Sequence, residues 1–110
     1  MCELRGYVEE NGDKRFAQWL EGLDAPAAAK VTIALARMER ENFSNVKGVG
    51  SGVFEYKIDF GPGYRIYFGK DGGNLVILIG GGTKKRQQHD IAEALKSRAS
   101  YKRRKRQEIQ

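Results

Sequence analysis

Residues 53–82 read VFEYKIDFGPGYRIYFGKDGGNLVILIGGG, and no other part of the chain has so regular a two-residue hydrophobic period. Phe54, Tyr56, Ile58 and Phe60 fall on one face of a first predicted strand, with Val53, Glu55, Lys57 and Asp59 on the other. Gly61-Pro62-Gly63 reverses the chain, because proline fixes its own φ and the flanking glycines tolerate φ > 0. A second strand follows, in which Tyr64, Ile66 and Phe68 alternate with Arg65 and Tyr67; a turn over Lys70–Asn74 leads to a third. Leu75 to Ile79 are apolar without a break, so this strand is predicted to be covered on both faces and to lie inside the sheet. The expectation is an antiparallel meander with one solvent-facing side. On that side Lys57, Arg65 and Tyr67 stand together, same-face neighbours on paired strands being about 4.5–5.5 Å apart at Cβ.

Composition bounds what can be built around this sheet. A chain of 110 residues that is 40% hydrophobic is one domain, large enough to bury a core without covalent staples. The single cysteine, Cys2, excludes a disulfide framework and a cysteine metal site, and cysteine this sparse fits a reducing compartment. With no secretory pattern, and no apolar run longer than Leu75–Ile79 against the ~20 residues of a span, a cytoplasmic protein that does not enter membranes is expected. Net charge divides unevenly. Residues 1–95 carry 13 Lys/Arg and 13 Asp/Glu, whereas residues 96–110 carry 7 Lys/Arg and only Glu108, which supplies the whole +6. A neutral body with a cationic end, and no amphipathic apolar face beside KRRKR, favours nucleic acid over a membrane surface.

In chain order, Cys2, Leu4, Tyr7 and Val8 suggest a short strand. Asn11, Gly12 or Asp13 can cap a helix with apolar positions Phe16, Trp19, Leu20 and Leu23, ended by Gly22 and Asp24. Pro26 opens a second helix with the stripe Ala27, Val31, Ala34, Leu35 and Met38, and the pair should form a hairpin on one face of the sheet. Residues 42–52, NFSNVKGVGSG, read as a loop. Its Gly48-x-Gly50-x-Gly52 is no nucleotide fingerprint, since it follows a helix and enters a strand. Gly80-Gly81-Gly82-Thr83-Lys84-Lys85 does follow a strand and open a helix, without Walker spacing; its amides, with Lys84, Lys85 and Arg86, could receive a phosphate, and solvated lysines at a helix entry explain it equally well. The third helix presents Ile91, Ala94, Leu95 and Ala99 on one side. Asp90 near its first turns reads as a dipole partner and His89 as an exposed bystander. Beyond Ala99 a frayed helix or a disordered arm is expected.

No His, Cys, Asp and Glu cluster has ligand spacing, so the sequence points to no metal and no cofactor. Ser44, Ser51, Ser97 and Ser100 sit in no nucleophile motif. What remains is Lys57, Arg65, Tyr67 and Lys84, with Tyr101 possible from the tail. Such a set can cleave RNA if the 2′-OH of the substrate is the nucleophile: the protein need only activate it, stabilise the developing phosphorane charge and protonate the leaving 5′-oxygen. Arg65 matches phosphate geometry bidentately. Lys57 or Tyr67 could move protons only with a pKa drawn toward neutrality.

Val53 to Asp59, the block GPGYRIYF at 61–68, and Leu75 to Gly82 with Lys84, Gln87, Asp90 and Ile91 resemble the RelE/ParE superfamily of type II toxin–antitoxin toxins. More narrowly they are similar to its phage-derived Gp49-like, HigB-like addiction-module killer branch. The similarity reaches back to Phe16, Trp19, Leu20 and Leu23 and covers roughly residues 10–97. Two positions depart from the branch, which usually has Arg where Lys57 stands and an acidic residue where Thr83 stands; the lysine keeps the charge and loses the planar fork. The resemblance implies an α+β, RelE-like small domain over 1–97: a short N-terminal strand at the sheet edge, a two-helix hairpin, the three-strand meander in an antiparallel sheet, and a C-terminal helix, followed by a basic tail over 98–110. It implies a ribosome-dependent mRNA endonuclease, metal-independent, with Arg65, Lys84, Lys57 and Tyr67 catalytic and a helix-turn-helix antitoxin as partner. Lys85, Arg86, Tyr101, Lys102, Arg103, Arg104, Lys105 and Arg106 would contact RNA. ParE-like members of the superfamily instead inhibit DNA gyrase, and a non-catalytic nucleic-acid-binding module is a third possibility.

Overall fold

In a computed structural model that describes residues 1–109, the chain runs β1 (Glu3–Gly6), α1 (Arg15–Glu21), α2 (Ala25–Glu39), β2 (Val46–Gly50), β3 (Val53–Ile58), β4 (Tyr64–Asp71), β5 (Leu75–Thr83), a 3-10 turn over Lys84–Arg86, and α3 (Gln87–Ile109). The five strands form one sheet in the order β1-β5-β4-β3-β2. β5 lies between β1 and β4, and its unbroken apolar run serves two cores. Val76 and Leu78 join the layer under α1 and α2, with Phe16, Ala27, Val31, Ala34, Met38, Tyr56, Ile66 and Phe68. Ile77 and Ile79 join the layer under α3, with Tyr7, Val53, Tyr67 and Ala94. The helical hairpin is built as its sequence suggests: Asp24 caps α2 by accepting from the Ala27 N–H at 2.9 Å, and Pro26 occupies the first turn. The first helix is capped differently, starting from Lys14 without a side-chain bond, while Asn11 Oδ1 accepts from the Asp13 N–H at 2.9 Å in a turn ahead of it.

The sheet is mixed where an antiparallel one was expected. β1 pairs in parallel with β5, Glu3 opposite Leu75 through Gly6 opposite Leu78, because the chain returns from the edge through both helices and three strands before reaching its neighbour. The segment read as a loop at 42–52 contains β2, antiparallel to β3 with Val46 opposite Tyr56 and Gly50 opposite Val53. Ser51 and Gly52, at φ 49° and 82°, form the two-residue turn between them; positive φ at both central positions matches the right-handed strand twist.

The glycine run 80–82 is also strand, not a phosphate-cradling loop. Gly80 pairs with Tyr67, Gly81 with Ile66 and Gly82 with Arg65, so the run continues the β4–β5 ladder. Its missing side chains are needed for packing. A Cβ on Gly81 would collide with the Trp19 ring, and one on Gly82 with the Asp90 carboxylate, on the opposite face.

Beyond Ala99, where a frayed helix or a disordered arm was expected, α3 continues unbroken to Ile109, and Gln110 lies outside the described residues. The cause is docking by polar groups that carry no hydrophobic period. Arg98 is buried beside Gly69 and donates to the Lys70 carbonyl at 2.8 Å. Tyr101 donates to Asp71 and packs edge-on against Tyr7, with centroids 5.8 Å apart. Arg104 donates to the Val8 carbonyl at 2.7 Å, Lys102 to the Ser51 carbonyl at 3.2 Å, and Lys105 pairs with Asp71.

Two outcomes test this packing. Gly81→Ala should destabilise the protein by about 1–3 kcal/mol, as overpacking does; the urea midpoint falls at unchanged m, and Trp19→Leu in the same chain restores part of the loss. Truncation after Ser97 should lower the midpoint of the whole domain, whereas an undocked tail would leave it where it was.

Candidate functional site

The register of β3, β4 and β5 puts Lys57 opposite Arg65, Glu55 opposite Tyr67, Arg65 opposite Gly82 and Tyr67 opposite Gly80. Lys57, Arg65 and Tyr67 thus share a face, as the alternation predicts, but the start of α3 covers most of it. Arg65 is 5% exposed, Tyr67 1% and Glu55 2%; Lys57 alone is exposed, with its Nζ 3.7 Å from Asp59. Charge pairing makes this dehydration tolerable. Arg65 Nε lies 3.5 Å from Glu55 Oε1, Gln87 Nε2 donates to Glu55 Oε2 at 2.8 Å, and Lys47 Nζ approaches the same carboxylate at 3.9 Å. The sequence reading did not use Glu55 or Gln87. The signal for Glu55 was present, since the period of two puts it beside Lys57; Gln87 depends on where α3 crosses the sheet.

Lys84 reaches this group through its backbone. Its N–H donates to the Gly63 carbonyl at 2.8 Å, tying the end of β5 to the Gly61-Pro62-Gly63 turn. The Arg65 guanidinium donates from Nη1 to the same carbonyl at 3.4 Å. A Cβ on Gly63, whose φ is +77°, would stand 3.4 Å from Arg65 Nη1 and 3.5 Å from Lys84 Cβ. Arg65 and Lys84 therefore meet at one end of the sheet, beside exposed Lys57, with exposed Lys85 and Arg86 following on the 3-10 turn.

Tyr67 behaves differently from a proton shuttle. Burial, then the charges of Glu55 and Asp90, push its phenol well above the ordinary value, away from neutrality. It is a neutral hydrogen-bond donor at pH 7, and its buried hydroxyl lies beside the Glu55 carboxylate without a hydrogen bond of ordinary geometry among the described residues. Asp90 lies in the first turn of α3, as a dipole partner would, but it is also folded down over Gly82 with Oδ2 buried and unpartnered. His89 is exposed. The cations further along α3 lie apart from this cluster. Lys102, Arg104 and Lys105 are engaged as described above, Arg103 Nη2 is 3.5 Å from Glu10, and burial followed by the Asp71 hydrogen bond pushes the Tyr101 phenol up to about 12. Exposed Arg106 makes no ion pair or hydrogen bond among the described residues. Also among them, no three His, Cys, Asp or Glu side chains are grouped to hold a metal ion, and no helix is long and apolar enough to cross a membrane.

The Asp90 environment has a pH signature. Burial raises its folded pKa above the unfolded value, with Arg86 and His89 opposing. Between the two values the native state holds the extra proton, so stability falls as pH rises through that window and the penalty persists above it. Asp90→Asn should therefore raise the urea midpoint at pH 7, and the gain should vanish as pH falls below about 4, the ordinary Asp range. A variant equally stable to wild type at both pH values would contradict the buried-carboxylate geometry.

These residues fall within a stretch that matches a known family. Residues 18–102 match the model of the phage-derived protein Gp49-like family (DUF891). An uncharacterised protein of Haemophilus influenzae (strain ATCC 51907 / DSM 11121 / KW20 / Rd) is 42% identical over 80 residues, which are 72% of this chain and 81% of that protein. The chain belongs to the Gp49-like phage-derived protein family, a toxin-like family of toxin–antitoxin modules within the RelE/HigB-like toxin superfamily.

Proposed function

We propose that this protein is the toxin of a type II toxin–antitoxin module and a ribosome-dependent mRNA endonuclease that cuts by attack of the substrate's own 2′-OH. The observation that carries the reading is the convergence of Arg65 and Lys84 on the Gly63 carbonyl beside exposed Lys57, a cluster of cations at one end of the sheet. In this reading Lys84 and the guanidinium edge of Arg65 stabilise the phosphorane, with Glu55 holding the guanidinium in orientation. Lys57 assists proton transfer at the sugar or the leaving oxygen, and Tyr67 contributes only a neutral donor. Lys85 and Arg86 hold the neighbouring phosphates, and Arg106 extends that track along α3, with Tyr101 and Lys102–Lys105 adding field rather than free contacts. The toxin domain proper is 1–97 and 98–110 its basic segment, docked as far as Lys105. The reaction needs no metal and no cofactor, takes place in the cytoplasm, and is held in check by a helix-turn-helix antitoxin.

Burial of Arg65 and Tyr67 favours a second reading, a ParE-like inhibitor of DNA gyrase, which needs no catalytic residues. Induced expression with mapping of mRNA ends separates the two. Codon-periodic 5′-OH ends, lost when the 2′-OH at the cut site is replaced by hydrogen, are the expected result; intact messages with damaged DNA would favour gyrase. Lys84→Ala should reduce cleavage by about 10²–10³-fold, as loss of one charge-stabilising donor does, with the urea midpoint unchanged because the side chain is exposed. Arg65→Ala is a poorer probe, since it strands the Glu55 carboxylate in the interior at about 3–5 kcal/mol.

A further inference from the structure

β1 is an edge of the sheet and pairs with β5 alone. The Glu3 N–H donates to the Asn74 carbonyl at 2.7 Å and the Tyr7 N–H to the Leu78 carbonyl at 2.8 Å, so by the period of two the N–H and C=O groups of Leu4 and Gly6 point outward. Nothing on the chain covers them. Glu3, Arg5 and Gly6 are exposed, and a Cβ on Gly6 would meet nothing within 4 Å. The large apolar side chains exposed among the described residues are Met1, Val8 and Ile33, and the first two flank this strand. Native proteins often protect such an edge with charge, which repels a second strand when it is of one sign. Here the signs are opposite. Arg5 Nη2 lies 2.8 Å from Glu3 Oε2, and the two residues stand symmetrically about Leu4.

Opposite charges placed evenly about one residue are complementary to themselves, and that selects the partner. An antiparallel second strand must set outward-pointing residues opposite outward-pointing residues, so the registers that keep most of β1 paired are centred on Glu3, Leu4 or Arg5. Centring on Glu3 or on Arg5 sets like charges opposite each other, which destabilises a strand pair. Centring on Leu4 sets each Glu3 opposite the Arg5 of the other copy, about 4.5–5.5 Å apart at Cβ. Every carboxylate then has one guanidinium beside it on its own strand and one across the seam, while the two Leu4 residues exchange both backbone hydrogen bonds. We propose that two copies of this chain associate through β1, antiparallel about Leu4, joining two five-stranded sheets into one. The two-fold axis stands normal to the sheet, so α3 lies on the same side in both copies. Arg104 and Lys105 line the same cleft as Arg5, and the dimer therefore offers one polyanion the basic helix ends of both copies. Because the strand is short and those ends carry like charge, the association is reversible and concentration-dependent. It does not depend on the RNA-cleaving function proposed above.

The test is sedimentation of the full-length protein at rising concentration, up to about 1 mM, with amide hydrogen exchange read on the same samples. Monomer should give way to dimer, and exchange at Leu4 and Gly6 should slow as it does. Glu3→Arg and Arg5→Glu each set like charges opposite across the seam, and each should weaken self-association about tenfold. Both positions are exposed, so the urea midpoints of the two variants should match wild type and show that they fold. Mixing the two variants should restore the dimer, because one edge then carries two arginines and the other two glutamates. The double swap Glu3→Arg with Arg5→Glu should self-associate as wild type does. A protein that stays monomeric throughout, self-association unchanged in both single variants, or a mixture that associates no better than either variant alone would overturn the proposal. A dimer whose Leu4 and Gly6 amides exchange at the monomer rate would place the contact elsewhere and overturn it too. Message cleavage enters none of these measurements, so failure here leaves the proposed nuclease standing, and loss of the nuclease leaves the seam.

Discussion

The structure depends on β5 being covered on both faces while carrying no side chains at its end. Between Leu75 and Ile79 the strand supplies alternate residues to two cores, so α1 and α2 must cover one side and α3 the other. Over the next three residues the same two-sided cover continues without side chains, and neighbours move into the vacated volume. Trp19 comes from α1 against Gly81, and Asp90 comes from α3 against Gly82. A layer packed on a β-sheet normally stands off by the thickness of the intervening side chains, as stacked sheets do at about 10 Å. Here the backbone itself becomes the wall, so α3 reaches the ladder, and Tyr67 and Arg65 fall beneath it.

Bringing a helix down onto that face requires its charges to be neutralised in place. Glu55 is the compensating group: it receives Gln87, faces Arg65 and lies near Lys47, and without it the guanidinium would be an uncompensated buried charge. The pairing also sets the chemistry. Arg65 retains orientation and loses part of its field to Glu55, and Lys57 pairs with the exposed Asp59, whereas Lys84, at the margin of the covered zone, makes no ion pair among the described residues. The exposed cations therefore gather at the rim of the sheet, where the Gly61-Pro62-Gly63 turn meets the Lys84 amide, and not on the flat face suggested by strand alternation alone.

The sequence was informative wherever burial is written in period two or 3.6. The three central strands, the uninterrupted β5 and the α1–α2 hairpin with Pro26 all follow from apolar spacing. It was uninformative where structure is held by polar groups or by absent side chains. β2 is half glycine at its end, so it carries almost no period, and its pairing is set by the Ser51-Gly52 turn. The last turns of α3 show only scattered apolar residues because Arg98, Tyr101, Arg104 and Lys105 hold them by reaching carbonyls and Asp71 on distant strands. The charge run KRRKR looks solvated in one dimension; in three, four of its five side chains have partners on the body. Within the candidate site, Lys57, Arg65 and Tyr67 were correctly set on one face by alternation, but their burial could not be read, since it depends on the path of α3 across the sheet.

Asp90 shows how the absence of one side chain sets the environment of another. In the first turn of α3 its charge favours the helix dipole, and that alone would keep it exposed and solvated. The missing side chain of Gly82 leaves room for it to fold inward, where Oδ2 is buried without a hydrogen-bond partner among the described residues and burial raises its pKa. The adjacent Gly80 leaves a volume open that a valine could have filled without backbone change. A domain of this size stands only several kcal/mol above unfolding, so a carboxylate oxygen buried without a partner is a real concession, and it follows from the same missing side chain that lets α3 reach the ladder.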